Sequence, residues 1–138
     1  MNEYCFDDIY IGQIEGFSVT VTPSMMDSFL SITSDSNPLH QDSDYAISKG
    51  YTDRVVYGML TSSFLSTLVG MYIPGKYSII HEVSFKLPSP VYIGDVLRVE
   101  GEVVEKNDTF KIIGLKVSIS NQNNKKVLRG SMRIGVLK

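Results

Sequence analysis

One cysteine, two histidines and no tryptophan in 138 residues remove several common chemistries from consideration. Cys5 has no second cysteine to pair with, so an internal disulfide framework is excluded, in keeping with a reducing compartment. No Cys/His cluster has metal-ligand spacing, and no glycine-rich phosphate loop follows a strand. Basic charge is also dispersed. The 13 Lys and Arg are scattered through a chain of net charge −2, and Lys125-Lys126 is their densest spot. Phosphate binding needs a concentrated basic surface, so a nucleic acid is not an expected partner. Long apolar runs are missing too. The longest stretch, Met59 to Ile73, is interrupted by Thr61, Ser62, Ser63, Ser66, Thr67 and Gly70. It falls short of the roughly 20 residues that cross a bilayer. Residues Met1 to Asp8 are acidic and carry no apolar core, so they do not read as a signal peptide. These absences lead to the expectation of a cytoplasmic protein with no membrane partner.

What is present reads as one domain over residues 1–138, without repeats, low-complexity tracts or a Pro/Gly-rich linker. A chain this long buries about two thirds of the surface its unfolded form exposes. Phe17 to Val21 alternates apolar and polar residues with the period of a half-buried strand. Thr22-Pro23 then opens a short helix as N-cap and first-turn proline, with Met25, Met26, Phe29, Leu30 and Ile32 along one face. That helix must end before Pro38, so Ser34 to Gln41 is expected to be an irregular polar loop. A second short helix is predicted from Ser43 to Lys49, capped by Asp42 and stopped by Gly50. Gly58 to Tyr72 is predicted as a single helix of about 15 residues, or roughly 22 Å. It contains no charge, and is therefore expected to be buried on nearly all sides.

Beyond the Pro74-Gly75 turn the chain becomes rich in strand signals: Ser78–Leu87, Val96–Glu105, Thr109–Ser120 and Lys125–Val136. Asn107-Asp108 and Asn121 to Asn124 are the predicted hairpin turns. A buried helix preceded by one strand and followed by four long antiparallel ones implies an α+β hotdog fold, in which a sheet wraps a central helix. Such a sheet leaves one edge free, so a homodimer with a continuous sheet is expected.

The candidate chemistry lies in Ser34-Asp35-Ser36-Asn37-Pro38-Leu39-His40, where a carboxylate and an imidazole stand five residues apart. A straight helix would separate those side chains, whereas a proline-broken turn can bring both to one water. The pair could then take and return protons near neutral pH. Asn37 can lock the loop through its own backbone. On these residues alone, a simple helix-connecting turn explains the segment equally well.

The string Asp35-Ser36-Asn37-Pro38-Leu39-His40, followed by Asp42 and Tyr45-Ala46, resembles the D-x-N-P-[LIV]-H signature of the MaoC-like, (R)-specific enoyl-CoA hydratase family. Arg54 to Leu60 resembles the family's opening of the central helix, and Leu68 to Gly75 its close. Ser84 to Asp95 resembles the F-x-x-P-V-x-x-G-D region. The resemblance implies a lyase that reversibly hydrates trans-2-enoyl thioesters, with Asp35 and His40 holding the water. It further implies that the Gly58 N–H receives the thioester carbonyl, as a helix N-terminus can, and that Ser66 lies near the pair. Asn37 is expected to shape the loop. No metal or separate cofactor is implied. Coenzyme A or an acyl-carrier pantetheine arrives as part of the substrate, its arm running along a dimer groove.

Two positions depart from the family pattern. Tyr57 stands where the family usually has histidine, and Ser34 where glycine often precedes the aspartate. An altered hydrogen bond is expected at Tyr57, with a possible effect on substrate choice. The same fold also supports thioester hydrolysis, and a non-catalytic acyl-thioester binder is a third reading. His81 beside Glu82, Asp95 after Gly94, and Cys5 are expected to be a sheet-surface pair, a turn residue and an inert thiol.

Overall fold

The computed structural model describes residues 1–138. Five strands, β1 (Ile14–Thr20), β2 (Ser78–Lys86), β3 (Val96–Asn107), β4 (Ile112–Ser120) and β5 (Lys126–Val136), form one antiparallel sheet in the order β1-β3-β4-β5-β2. The helices α1 (Pro23–Thr33), α2 (Pro38–Gln41), α3 (Ser43–Ser48) and α4 (Gly58–Thr67) all lie between β1 and β2 in sequence. Although β1 and β2 are opposite edges of the sheet, both contact the turn Leu68–Tyr72 that continues α4. The sheet therefore curls around the helix, as a hotdog fold requires.

Period-2 patterning sets the inner face. Leu97, Val99 and Val103 on β3 and Ile113, Leu115, Val117 and Ile119 on β4 are fully or almost fully buried. Against them α4 and its extension set Thr61, Leu65 and Leu68, spaced four and three residues apart on one stripe. Gly101 faces Leu68 from β3, where a Cβ would lie 3.0 Å from Leu68 Cδ2. That bare backbone lets the helix seat closely on the sheet. The resulting cluster of 24 buried residues runs from Phe6 to Val136.

Several expectations need correction. The stretch Gly58–Tyr72 is an α-helix only to Thr67, after which Leu68–Tyr72 widens into a π-helical turn that ends with Ile73 N bonded to Leu68 O. Nor is this helix buried on nearly all sides: Met59 is 62% and Met71 43% exposed, and Ser63, Ser66 and Thr67 are exposed as well. One sheet covers only one side of it, and small hydroxyl residues tolerate water on the other. Residues 34–41 are not wholly irregular, because Pro38 starts α2 instead of merely ending α1. Pro at a first helical position loses no helical hydrogen bond. β1 starts three residues earlier than predicted. The β3–β4 turn falls at 108–111, where Asn107 Oδ1 accepts Phe110 N at 3.0 Å.

His81 lies at a register break between Ile80 and Glu82 in β2 and is exposed. No segment of the chain forms a helix long and apolar enough to cross a membrane.

Leu68→Ala should destabilise the fold by about 2–5 kcal/mol, because it empties a closed site between helix and sheet. Ile32→Ala, at a position 82% exposed, should change stability by no more than about 0.5 kcal/mol. Urea unfolding of both variants checks the contrast, and equal effects would mean the helix is not seated as described.

Candidate active site

The loop that carries Asp35 is built by a chain of short-range bonds. Ser34 ends α1 in the left-handed region (φ 59), its N–H donating to Leu30 O at 2.8 Å. That reversal turns Asp35 away from the helix axis. Thr33 Oγ1 accepts Asp35 N at 3.2 Å, and Asp35 Oδ1 accepts Asn37 N at 3.1 Å. Asn37 Oδ1 in turn accepts Leu39 N at 2.9 Å and so caps α2. Asn37 shapes the loop through these bonds, and its side chain is spent on the cap. Asp42 repeats the device for α3, its Oδ1 accepting Tyr45 N at 3.1 Å. Nearby, Ser43 Oγ donates to Asp53 Oδ1, and this bond together with the Arg54 N–H holds the Asp53 carboxyl below its usual range.

His40 is half-buried and fixed by tertiary contacts. Its Nδ1 lies 2.7 Å from Val55 O, and a carbonyl can only accept, so the proton sits on Nδ1. Nε2 is thereby left with a free lone pair in the neutral ring. Val55 N returns a bond to Leu39 O at 3.1 Å. The imidazole lies against Tyr57, with ring centroids 4.2 Å apart and planes at 31°. Tyr57 is 1% exposed, and its other neighbours include Phe29 at 4.7 Å between centroids. Its hydroxyl donates to Asp35 O at 2.6 Å and accepts from Gln41 Nε2 at 2.7 Å. The altered hydrogen bond expected of Tyr57 is thus a connection to the main chain of Asp35.

Beside His40 opens a cavity of about 340 Å³ whose wall includes Tyr51, Gly58, Thr61, Leu87 and Val127. Gly58 is the first residue of α4, and no side chain caps that helix. Its leading N–H groups have no intrahelical partner and carry the positive end of the helix dipole. A Cβ on Gly58 would stand 2.6 Å from Leu87 Cδ1, so a larger residue would press Leu87 out of its place over the helix start. Thr61, one turn further on, is 1% exposed, and its hydroxyl has no hydrogen-bond partner in the protein. A depression of about 370 Å³ elsewhere on the sheet is lined by charges of both signs, such as Glu100, Glu102, Lys116 and Arg129. It is a solvated surface.

The cavity joins His40 and Gly58 but not every candidate. Asp35 is exposed and linked to His40 through Tyr57; its carboxylate faces its own loop. Ser66 is exposed on α4 eight residues beyond Gly58, roughly 12 Å along the axis, and does not line the cavity. Two participants carried no motif signal of their own, Gln41 and Thr61. Thr61 could have been found from its position on the stripe with Leu65 and Leu68, a hydroxyl where the pattern calls for an apolar residue.

The sequence profile described as MaoC like domain matches residues 11–125. An (R)-specific enoyl-CoA hydratase of Rhodospirillum rubrum is 35% identical over 105 residues, covering 73% of this chain and 73% of that protein. One from Aeromonas caviae is 33% identical over 122 residues, covering 87% and 90%. Among solved structures, the R-hydratase PhaJ1 of Pseudomonas aeruginosa superposes with a TM-score of 0.91 at 26% identity, over 97% of this chain and 86% of that one.

The His40 geometry has a direct spectroscopic consequence. In the neutral imidazole, ¹⁵N-detected NMR should report a single tautomer with a protonated Nδ1 and a bare Nε2. A protonated Nε2 would mean that the Val55 carbonyl does not hold the ring.

Proposed function

Because the chain belongs to the MaoC-like family, we propose that it catalyses the reversible hydration of trans-2-enoyl thioesters to 3-hydroxyacyl thioesters, acting as one unit over residues 1–138. The observation that carries this reading is the shared cavity wall. It places a histidine with an unshared Nε2 lone pair beside the uncapped start of α4. Conjugate addition of water needs those two elements, a proton acceptor and a site for negative charge on the thioester oxygen.

In this reading a water sits between His40 and Asp35. Nε2 takes one of its protons as the oxygen bonds to C3, while Asp35 Oδ2, the carboxylate oxygen that Asn37 N does not engage, accepts a hydrogen bond from the other. The π electrons of the C2–C3 bond move to the thioester oxygen, where the Gly58 N–H and the helix dipole stabilise the enolate. As the carbonyl re-forms, C2 takes the proton back from the imidazolium. Atoms and charges balance with no metal and no redox cofactor in the scheme. The otherwise unpartnered Thr61 hydroxyl offers the bound acyl group a further polar contact. The carrier is coenzyme A or an acyl-carrier protein, since both present the acyl group on pantetheine.

We also infer that a second copy pairs along β2. That strand is a free edge of the sheet with Ile79, Ile80 and Val83 between 40% and 45% exposed, apolar groups that an isolated edge would ordinarily replace with charge. Pairing β2 with β2 is two-fold symmetric and self-complementary. Light scattering should give twice the chain mass for the parent and a shift toward monomer for Ile80→Lys. A parent that is monomeric at micromolar concentration would remove the inference.

The primary test is loss of enoyl absorbance from crotonyl-CoA. The parent should hydrate it, and Asp35→Asn and His40→Ala should each lower kcat by at least about 100-fold. Release of free thiol would replace hydration with hydrolysis, and silence over a chain-length series would leave only a binding role.

A further inference from the structure

We propose that Tyr57 is a positioning residue that fixes Asp35 relative to His40, through a hydroxyl clamped between the Asp35 carbonyl and the Gln41 amide. The proposal rests on the hydration reading and adds to it the group that sets the geometry of the acid–base pair.

Consider what holds each member of the pair. His40 is secured to residue 55 twice, by its own Nδ1 and by the Leu39 carbonyl next to it. Asp35 is secured far less. Its N–H meets Thr33 Oγ1 at the end of α1 and its carboxylate meets Asn37 N, both only two residues away in sequence. The sole hydrogen bond from Asp35 to a distant part of the chain comes from the Tyr57 hydroxyl at 2.6 Å, across 22 residues of sequence. Val55 and Tyr57 stand two residues apart, so one short segment anchors the His40 side chain and the Asp35 main chain. Without the Tyr57 bond, the Asp35 end of the loop is held only by the neighbouring end of α1 and by Asn37.

The phenol is well suited to this task. Gln41 Nε2 donates to its oxygen at 2.7 Å, which occupies a lone pair and turns the hydroxyl hydrogen toward Asp35 O. The ring is wedged between Phe29 of α1 and His40 of α2, and its burial leaves no room to swing. Thus α1, the loop, α2 and the start of α4 meet at one side chain. Of these residues only His40 lines the cavity, so the effect of Tyr57 and Gln41 on substrate runs through the water that Asp35 and His40 share in the hydration reading.

Tyr57→Phe keeps the ring and deletes the clamp. It should lower kcat for crotonyl-CoA about 10- to 100-fold, as sub-ångström to ångström misplacement of a reacting group does. KM and the Kd of the unreactive butyryl-CoA should stay within about threefold. Gln41→Leu should lower kcat by a smaller factor, and Tyr57→Phe/Gln41→Leu should be no worse than Tyr57→Phe, because Gln41 acts through the phenol. Asp35→Asn should mask both: adding Tyr57→Phe to it should cost nothing further. Gln41→Leu, which leaves the buried ring in place, carries the test alone if Tyr57→Phe does not fold.

A Tyr57→Phe enzyme with parental kcat overturns the positioning role while leaving the hydration reading intact. A further drop on top of Asp35→Asn, or parallel losses in kcat and butyryl-CoA binding, overturns it in favour of a general structural effect. A parent with no hydration of any chain length overturns the underlying reading, and this proposal falls with it.

Discussion

Residues 55 to 57 are the seam on which the candidate site hangs. On one side Val56 N donates to Val91 O at 2.8 Å and Val55 bridges Tyr92, tying the segment to the connection before β3. On the other side Val55 holds Leu39 and His40, and Tyr57 holds Asp35. A segment bonded on both flanks cannot slide along either without breaking several hydrogen bonds in a partly buried place, and each unmet group there would cost on the order of 1–3 kcal/mol. The loop bearing Asp35 and His40 is therefore held by a neighbour that is itself bonded to the connection leading into β3.

The same seam determines where α4 begins. Tyr57 is its N-cap, yet that side chain points into the aromatic cluster with Phe29 and His40 instead of capping the helix. In most helices a Ser, Thr, Asp or Asn at this point would satisfy one of the free N–H groups. Committing Tyr57 to the loop leaves those groups available at the cavity wall, beside a histidine whose Nε2 is bare. One residue type at one position thus accounts for two features of the site, the anchoring of Asp35 and an open helix start. The buried, unpartnered Thr61 hydroxyl one turn later is in keeping with a surface that meets a ligand, since a folded core rarely leaves a polar atom unmet.

Much of this could be read from the chain. The alternation in β3 and β4, the Thr22-Pro23 start of α1 and the Asn37 and Asp42 caps are local signals, because each depends on residues within four positions of one another. The loop string Asp35 to His40 was legible for the same reason. The extent of α4 was not. At its switch to a π-helical turn, Leu68 lies against Gly101 and Tyr72 stacks on Phe17 of the sheet, contacts that no local stretch of sequence carries. Its exposed face was likewise hidden, since an uncharged run reads the same whether a sheet covers it on one side or on all.

The sequence by itself determined the five strands, α1, α3, the start of α4, the break before Pro38 and the family to which the chain belongs, since these follow from side-chain chemistry over short spans. Only the tertiary structure decided that Tyr57 binds the Asp35 carbonyl, that Val55 sets the histidine tautomer, and that Ser66 stands apart from the cavity His40 shares with Gly58. The reason is physical. A hydrogen bond across 15 or 22 residues has no local signature, and it exists only because the curled sheet and buried helix bring the two stretches of backbone into one place.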